Sequence, residues 1–171
     1  MKRRTIIFAL VLSACLLLVA ILGPMNLLLL SKPDLVVIEL ERRGCYGICP
    51  IYSLRILGDG RVQYAGQHFV LVEGAQTARI DPRQVQELVT AFENIDFFAL
   101  PDRLSYGIED LDESRTCLTW MNAGKCVEIR SAYPAAGLAE LAQVKELNNV
   151  IDQVARVEQW VGARNLFLRS P

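Results

Sequence analysis

From Thr5 to Ser31 the chain carries no charged residue, and the stretch from Ile6 to Leu22 is almost wholly aliphatic. A helix of about 20 apolar residues covers a ~30 Å hydrocarbon core, so this stretch is long enough to cross a bilayer. Gly23-Pro24 bends or ends the helix early, and residues 25–30 then lie at the outer interface. Lys2, Arg3 and Arg4 supply a positive flank before the run, against Lys32 beside Asp34 after it. The positive-inside rule puts the N-terminus in the cytoplasm and the rest of the chain outside. The expected organisation is therefore a cytoplasmic basic tip and transmembrane anchor over residues 1–32, followed by a periplasmic or extracellular domain over 33–171. The membrane would be the cell inner membrane, crossed once.

Leu12-Ser13-Ala14-Cys15 offers a second reading of the same segment, since it has the form of a lipobox whose cysteine is acylated after cleavage. Lipoproteins continue with a polar linker, whereas here residues 16–22 prolong the apolar helix, which favours Cys15 as a small apolar residue inside the span. Both readings leave the domain on the same side. Beyond Lys32 the chain carries 14 basic and 19 acidic residues, a net of −5. A domain of that sign repels nucleic acid.

Residues 35–41 read as a strand rich in Val, Ile and Leu. Tyr52, Leu54 and Ile56 alternate with polar neighbours, Gly58-Asp59-Gly60 marks a hairpin turn, and Val62 and Tyr64 alternate on the returning strand. Residues 69–73 and 77–80 read as two more short strands of a meander. Asp81-Pro82 opens a helix with a capping acid and a proline at its first position. Val85, Leu88, Val89 and Phe92 then fall on one face. Phe97-Phe98 reads as a buried aromatic pair, residues 102–114 as an acidic loop, and residues 115–121 and 126–131 as a hairpin turning at 122–125. A closing helix over 138–161 carries a stripe of Leu141, Val144, Leu147, Val150, Ile151, Val154, Val157 and Val161. A helix that long covers its own sheet more readily than it dimerises. The order implies an α+β fold: an antiparallel sheet of a β-meander and a second hairpin, with two amphipathic helices on one face.

The pattern Cys45-x-Gly47-x-Cys49-Pro50-x-Tyr52, followed by Asp59-Gly60-x-Val62-x-Tyr64-x-Gly66, resembles a family of bacterial exported proteins and lipoproteins known as domain of unknown function number 6438. The resemblance spans roughly residues 35–160. It implies an exported α+β domain and brings no reaction, substrate or ligand with it. Cys117 and Cys126 stand outside its pattern. Members often carry a Thr-Asp-x-Pro-Thr-like stretch before the second hairpin, from which Asp112-Glu113-Ser114-Arg115-Thr116 departs.

Four cysteines outside the membrane favour disulfides in an oxidising compartment. Cys45 and Cys49 form the expected pair, with Gly47 turning the chain between them. With the turn at Ala123-Gly124, Cys126 lies opposite Met121 and about 13 Å from Cys117 at ~3.3 Å per residue, too far to bridge; a wider or bulged turn changes this. A redox role for Cys45 and Cys49 is the enzymatic alternative, although a thioredoxin-type pair has two intervening residues and sits at a helix start. A four-cysteine zinc site is disfavoured by spacing and compartment. His68, the sole histidine, reads as an exposed turn residue with no triad partner in sight. Asp110, Asp112 and Glu113, with Asp102 and Glu109, lack calcium-loop spacing and read as a solvated loop. No catalytic residue and no cofactor are expected. The expected function is binding or a structural role at the cell envelope, toward an envelope protein or ligand.

Overall fold

The computed structural model describes residues 36–45, 47–106, 113–131 and 138–162. Strand β1 (Val36–Arg42) buries every second side chain, Val36, Ile38, Leu40 and Arg42, as a strand with one covered face must. β2 (Ile51–Leu57) follows the same rule with Tyr52, Leu54 and Ile56. A three-residue turn, Gly58-Asp59-Gly60, joins it to β3 (Arg61–His68). Gly60 has φ 82°, and a Cβ there would overlap the Ile80 carbonyl oxygen, so glycine is required by both conformation and space. β4 (Gly74–Arg79) pairs antiparallel to β3.

Helix α1 (Pro82–Asn94) starts on a capping box: the Asp81 carboxylate accepts from the Arg83 backbone, and Gln84 answers by accepting the Asp81 N–H. Its buried side chains are Val85, Leu88, Val89 and Phe92, the face expected from their spacing. A 3-10 turn at Phe97–Ala99 follows, then β5 (Arg103–Tyr106), β6 (Ser114–Trp120), β7 (Ala123–Ser131), helix α2 (Leu138–Val154) and the single turn α3 (Glu158–Val161). The sheet has seven strands in the order β4-β3-β2-β1-β6-β7-β5, antiparallel throughout except for β5 beside β7. One face carries the inward residues of β1, β2, β3, β6 and β7 into a common core with α1, α2 and α3. The opposite face has no helix on it among the described residues.

The α+β class and the largely antiparallel sheet agree with the sequence pattern, and several details do not. Residues 69–73 are a bent loop, not a strand: Val72 donates its N–H to the Trp160 carbonyl, and its own carbonyl accepts from the Tyr64 hydroxyl. The acidic segment read as a loop contains β5, a parallel edge strand on β7 whose Leu104 is buried. Phe97 packs edge-on against Phe92 at 4.7 Å, whereas Phe98 is half exposed, so the expected buried pair is one buried ring. The second hairpin turns at Met121-Asn122, two residues earlier than expected, with Met121 at φ 53° and Trp120 opposite Ala123.

The closing helix also ends early. Val157 donates to the Asp152 carbonyl and Arg156 to the Gln153 carbonyl while Arg156 sits at φ 53°. That pair of bonds is a Schellman ending, built here on arginine in place of the usual glycine. Val157 and Val161 therefore reach the core from beyond a break, and Val150 and Val154 are only partly buried. Among the described residues no helix is long and apolar enough to cross a membrane. The run from Ile6 to Leu22, with Cys15, lies outside them.

Candidate functional site

The Cys45–Cys49 stretch is the connection between β1 and β2. Its two ends, Arg42 and Tyr52, are partners in the sheet register. Both side chains point under α2 and meet the Asp152 carboxylate. Arg42 donates to Oδ2 through Nε at 3.2 Å and Nη2 at 2.7 Å, and Tyr52 donates to Oδ1 at 2.7 Å. Asn149 accepts a further bond from Arg42 at 3.2 Å. Arg42 is 1 % exposed and Asp152 5 %, so a full ion pair lies inside the core. One turn earlier on α2, Asn148 accepts from Thr116 at 2.5 Å and donates to the Ser114 hydroxyl at 2.9 Å. A buried ion pair is tolerated when further hydrogen bonds satisfy its other donors and acceptors, and Tyr52 and Asn149 supply such bonds here. The arrangement fixes the base of the loop to the closing helix. The loop itself places Cys45 and Cys49 at disulfide geometry, Cα atoms 5.7 Å apart, with the Gly47 N–H donating to Cys45 Sγ at 3.2 Å. Ile48 stands exposed beside them.

The uncovered face of the sheet is chemically different. A depression of about 600 Å³ runs across β1, β2, β3, β4 and β6, walled by side chains such as Glu39, Arg55, Gln63, Thr77 and Arg115. At its β6–β7–β5 side, four arginines gather on one carboxylate. Glu128 takes Arg130 at 3.0 Å, Arg43 at 3.5 Å and Arg115 at 4.0 Å, and Arg103 is its register partner on β5. Burial works to raise the Glu128 carboxyl, but the Arg130, Arg43 and Arg103 charges outweigh it and hold it below the usual carboxylate range. Glu41 shares Arg43, raising that guanidinium further, and Lys125 pairs with Asp102 at the rim. Arginine forks in this density match carboxylate or phosphate oxygens.

On the same face Cys117 and Cys126 are directly opposite each other, Cα atoms 4.1 Å apart, and are joined as a disulfide. This corrects the ~13 Å separation expected from a turn at Ala123-Gly124. Moving the turn to Met121-Asn122 brings the two cysteines into register.

His68 ends β3 opposite Ile51 and is exposed. Glu113 contributes its backbone carbonyl to the Arg43 N–H, 2.9 Å away, while Asp110 and Asp112 lie outside the described residues. Among the described residues no group of three or more His, Cys, Asp or Glu is placed to hold a metal ion. The arginine cluster escaped sequence reading because its members are scattered and the domain as a whole is acidic; only the β1–β6–β7–β5 pairing assembles them. Asp152 and Asn148 carried a signal that went unused, since both interrupt the apolar spacing of α2 on its inward side.

The sequence matches the family described as "Domain of unknown function (DUF6438)" over residues 36–155. No curated protein matches it.

Proposed function

We propose that this chain, which belongs to the family described as domain of unknown function 6438, is a membrane-tethered extracytoplasmic binding domain whose uncovered sheet face receives an anionic partner. The tether rests on the charge-free run after Lys2, Arg3 and Arg4. The recognition surface rests on one observation: four arginines gather around Glu128, one of them shared with Glu41, on a face left open by every helix described. Carboxylate or phosphate groups of an envelope polymer or protein suit that surface. The domain's acidic total keeps long nucleic acids away from the rest of it.

A poly-glutamate peptide, titrated against the full chain in detergent, tests the binding surface. Binding should weaken with added salt and vanish in Arg115→Glu/Arg130→Glu, while Glu128→Gln tightens it. Failure of the wild-type protein to bind either this probe or a phosphate-bearing polymer would refute the anionic assignment. A periplasm-active reporter fused after Pro171 tests placement; activity of a cytoplasm-active reporter alone would overturn it. The thiol-exchange alternative at Cys45 and Cys49 draws on the Gly47 N–H aimed at Cys45 Sγ. Insulin reduction abolished by Cys45→Ser would establish it.

A further inference from the structure

Two disulfides lie in this domain, and their surroundings differ. Cys45–Cys49 closes a loop that Arg42 and Tyr52 already tie to Asp152. Cys117–Cys126 links two strands held by their own ladder and a two-residue turn, so its opening leaves the strand pairing in place. Its two sulfurs are also unequal. Cys117 is 4 % exposed, whereas Cys126 is partly open to solvent. Arg115 Nη2 lies 3.2 Å from Cys126 Sγ, placing a permanent cation against that sulfur. An adjacent guanidinium favours the thiolate, the form that attacks and that leaves.

We infer that Cys117 and Cys126 form a thiol-exchangeable pair on the open face, Cys126 being the sulfur that meets an external thiol and Cys117 the resolving one. In the reducing direction, a thiolate of a low-molecular-weight or protein thiol attacks Cys126 Sγ. The Cys117–Cys126 bond breaks, and Cys117 leaves with the electron pair and takes a proton. A second thiolate attacks the external sulfur of the mixed disulfide and releases the Cys126 thiolate beside Arg115. Two thiols become one disulfide, and the protein pair gains two electrons. Run backwards, the Arg115-stabilised Cys126 thiolate attacks a partner's disulfide, and Cys117 then resolves the adduct.

Other charges bear on this sulfur. Glu39 and Glu41 on β1 face Cys117 and Arg115 respectively, Glu128 on β7 shares Arg115 at 4.0 Å, Arg103 on β5 and Arg130 on β7 offset Glu128, and the paired Asp102 and Lys125 line the same depression as Cys126. The carboxylates oppose a low thiol pKa and the guanidiniums favour one. Arg115 is the group in contact, so it sets the direction.

The test uses the full chain in detergent, equilibrated with reduced and oxidised glutathione, with thiols trapped by alkylation and located by peptide mass. Cys117–Cys126 should open before Cys45–Cys49. Cys117→Ser should accumulate a glutathione adduct at Cys126, and Cys126→Ser should not accumulate one at Cys117. In the reduced protein the Cys126 alkylation rate should show a midpoint below the ordinary ~8.5 of a free thiol. Arg115→Gln should raise that midpoint and slow alkylation near neutral pH by about three- to tenfold, lower thiolate content being partly offset by higher nucleophilicity. Arg115→Lys should restore most of it, and circular dichroism confirms the fold in each variant. A Cys126 midpoint at or above the free-thiol value and unmoved by Arg115→Gln would overturn the assignment, as would equal adducts on both cysteines. Should both serine variants misfold, the wild-type order of opening and the Arg115 comparison still decide the matter.

Discussion

Removing the Asp152 carboxylate tests whether the β1–β2 loop depends on the core beneath it. Asp152→Ala removes both bonds that the Arg42 guanidinium, 1 % exposed, donates to the Asp152 carboxylate. Breaking a buried ion pair from one side costs about 3–5 kcal/mol, because the remaining charge stays desolvated. Tyr52→Phe deletes one hydroxyl donating to that carboxylate at 2.7 Å, and a hydrogen bond to a charged group contributes about 1.5–3 kcal/mol. Replacing both charges together, as Arg42→Met/Asp152→Leu, should cost far less than Asp152→Ala alone, since an apolar pair of similar volume asks for no counterion. Urea unfolding measures all three, a lower midpoint at constant slope reporting stability. Hydrogen exchange supplies the second reading: the Arg43 amide, bonded to the Glu113 carbonyl, and the Gly47 amide, bonded to Cys45 Sγ, should lose protection in Asp152→Ala more than those of β3 and β4. An Asp152→Ala loss below about 1 kcal/mol, or a double variant as unstable as the single one, would refute the clamp.

Gly66 lies where an added Cβ would overlap the Val72 carbonyl and press on the Tyr64 hydroxyl, so Gly66→Ala should destabilise by about 1–3 kcal/mol or more in thermal unfolding. Burial pushes the Tyr64 phenol up to about 12 from its ordinary 10. The folded state thus holds that proton more tightly. The contribution is complete below pH 10 and is lost as pH rises toward 12, a decline that Tyr64→Phe should flatten in alkaline unfolding curves. Cys45→Ser opens a loop of only a few residues and should cost about 2 kcal/mol by chain entropy, read as a lower urea midpoint. An unchanged midpoint would deny the bond a structural role.

The signals that survived into the structure were those local chemistry controls. Gly58-Asp59-Gly60 made its turn and Asp81-Pro82 capped its helix, because conformation at those positions is set by the residues themselves. What failed needed tertiary context. Met121 and Arg156 adopt positive φ without being glycine, so the true hairpin tip and the true helix end carried no mark. One misplaced tip moved Cys117 away from Cys126 and hid the pair. β5 is a short parallel edge whose partner β7 comes only after β6 in the chain, and no alternation within four residues reveals a neighbour of that kind. The alternation that places Tyr52 in a strand is legible in the sequence, yet its partner Asp152 sits 100 residues away.

Strand β1 lies in the middle of the sheet, bonded to β2 on one side and β6 on the other. Residues 1–35 therefore join the domain at Val36, the first residue of a central strand. Tension arriving there, resisted by anything gripped at Arg103 or Arg130, runs along β1 and across its ladder with β6. That ladder extends from Val36 opposite Trp120 to Arg42 opposite Ser114. Its hydrogen bonds lie across the pull, so they are loaded together in shear rather than unzipped one after another. Force on an edge strand such as β4 would peel it bond by bond. A load entering at Val36 therefore meets the whole β1–β6 ladder at once.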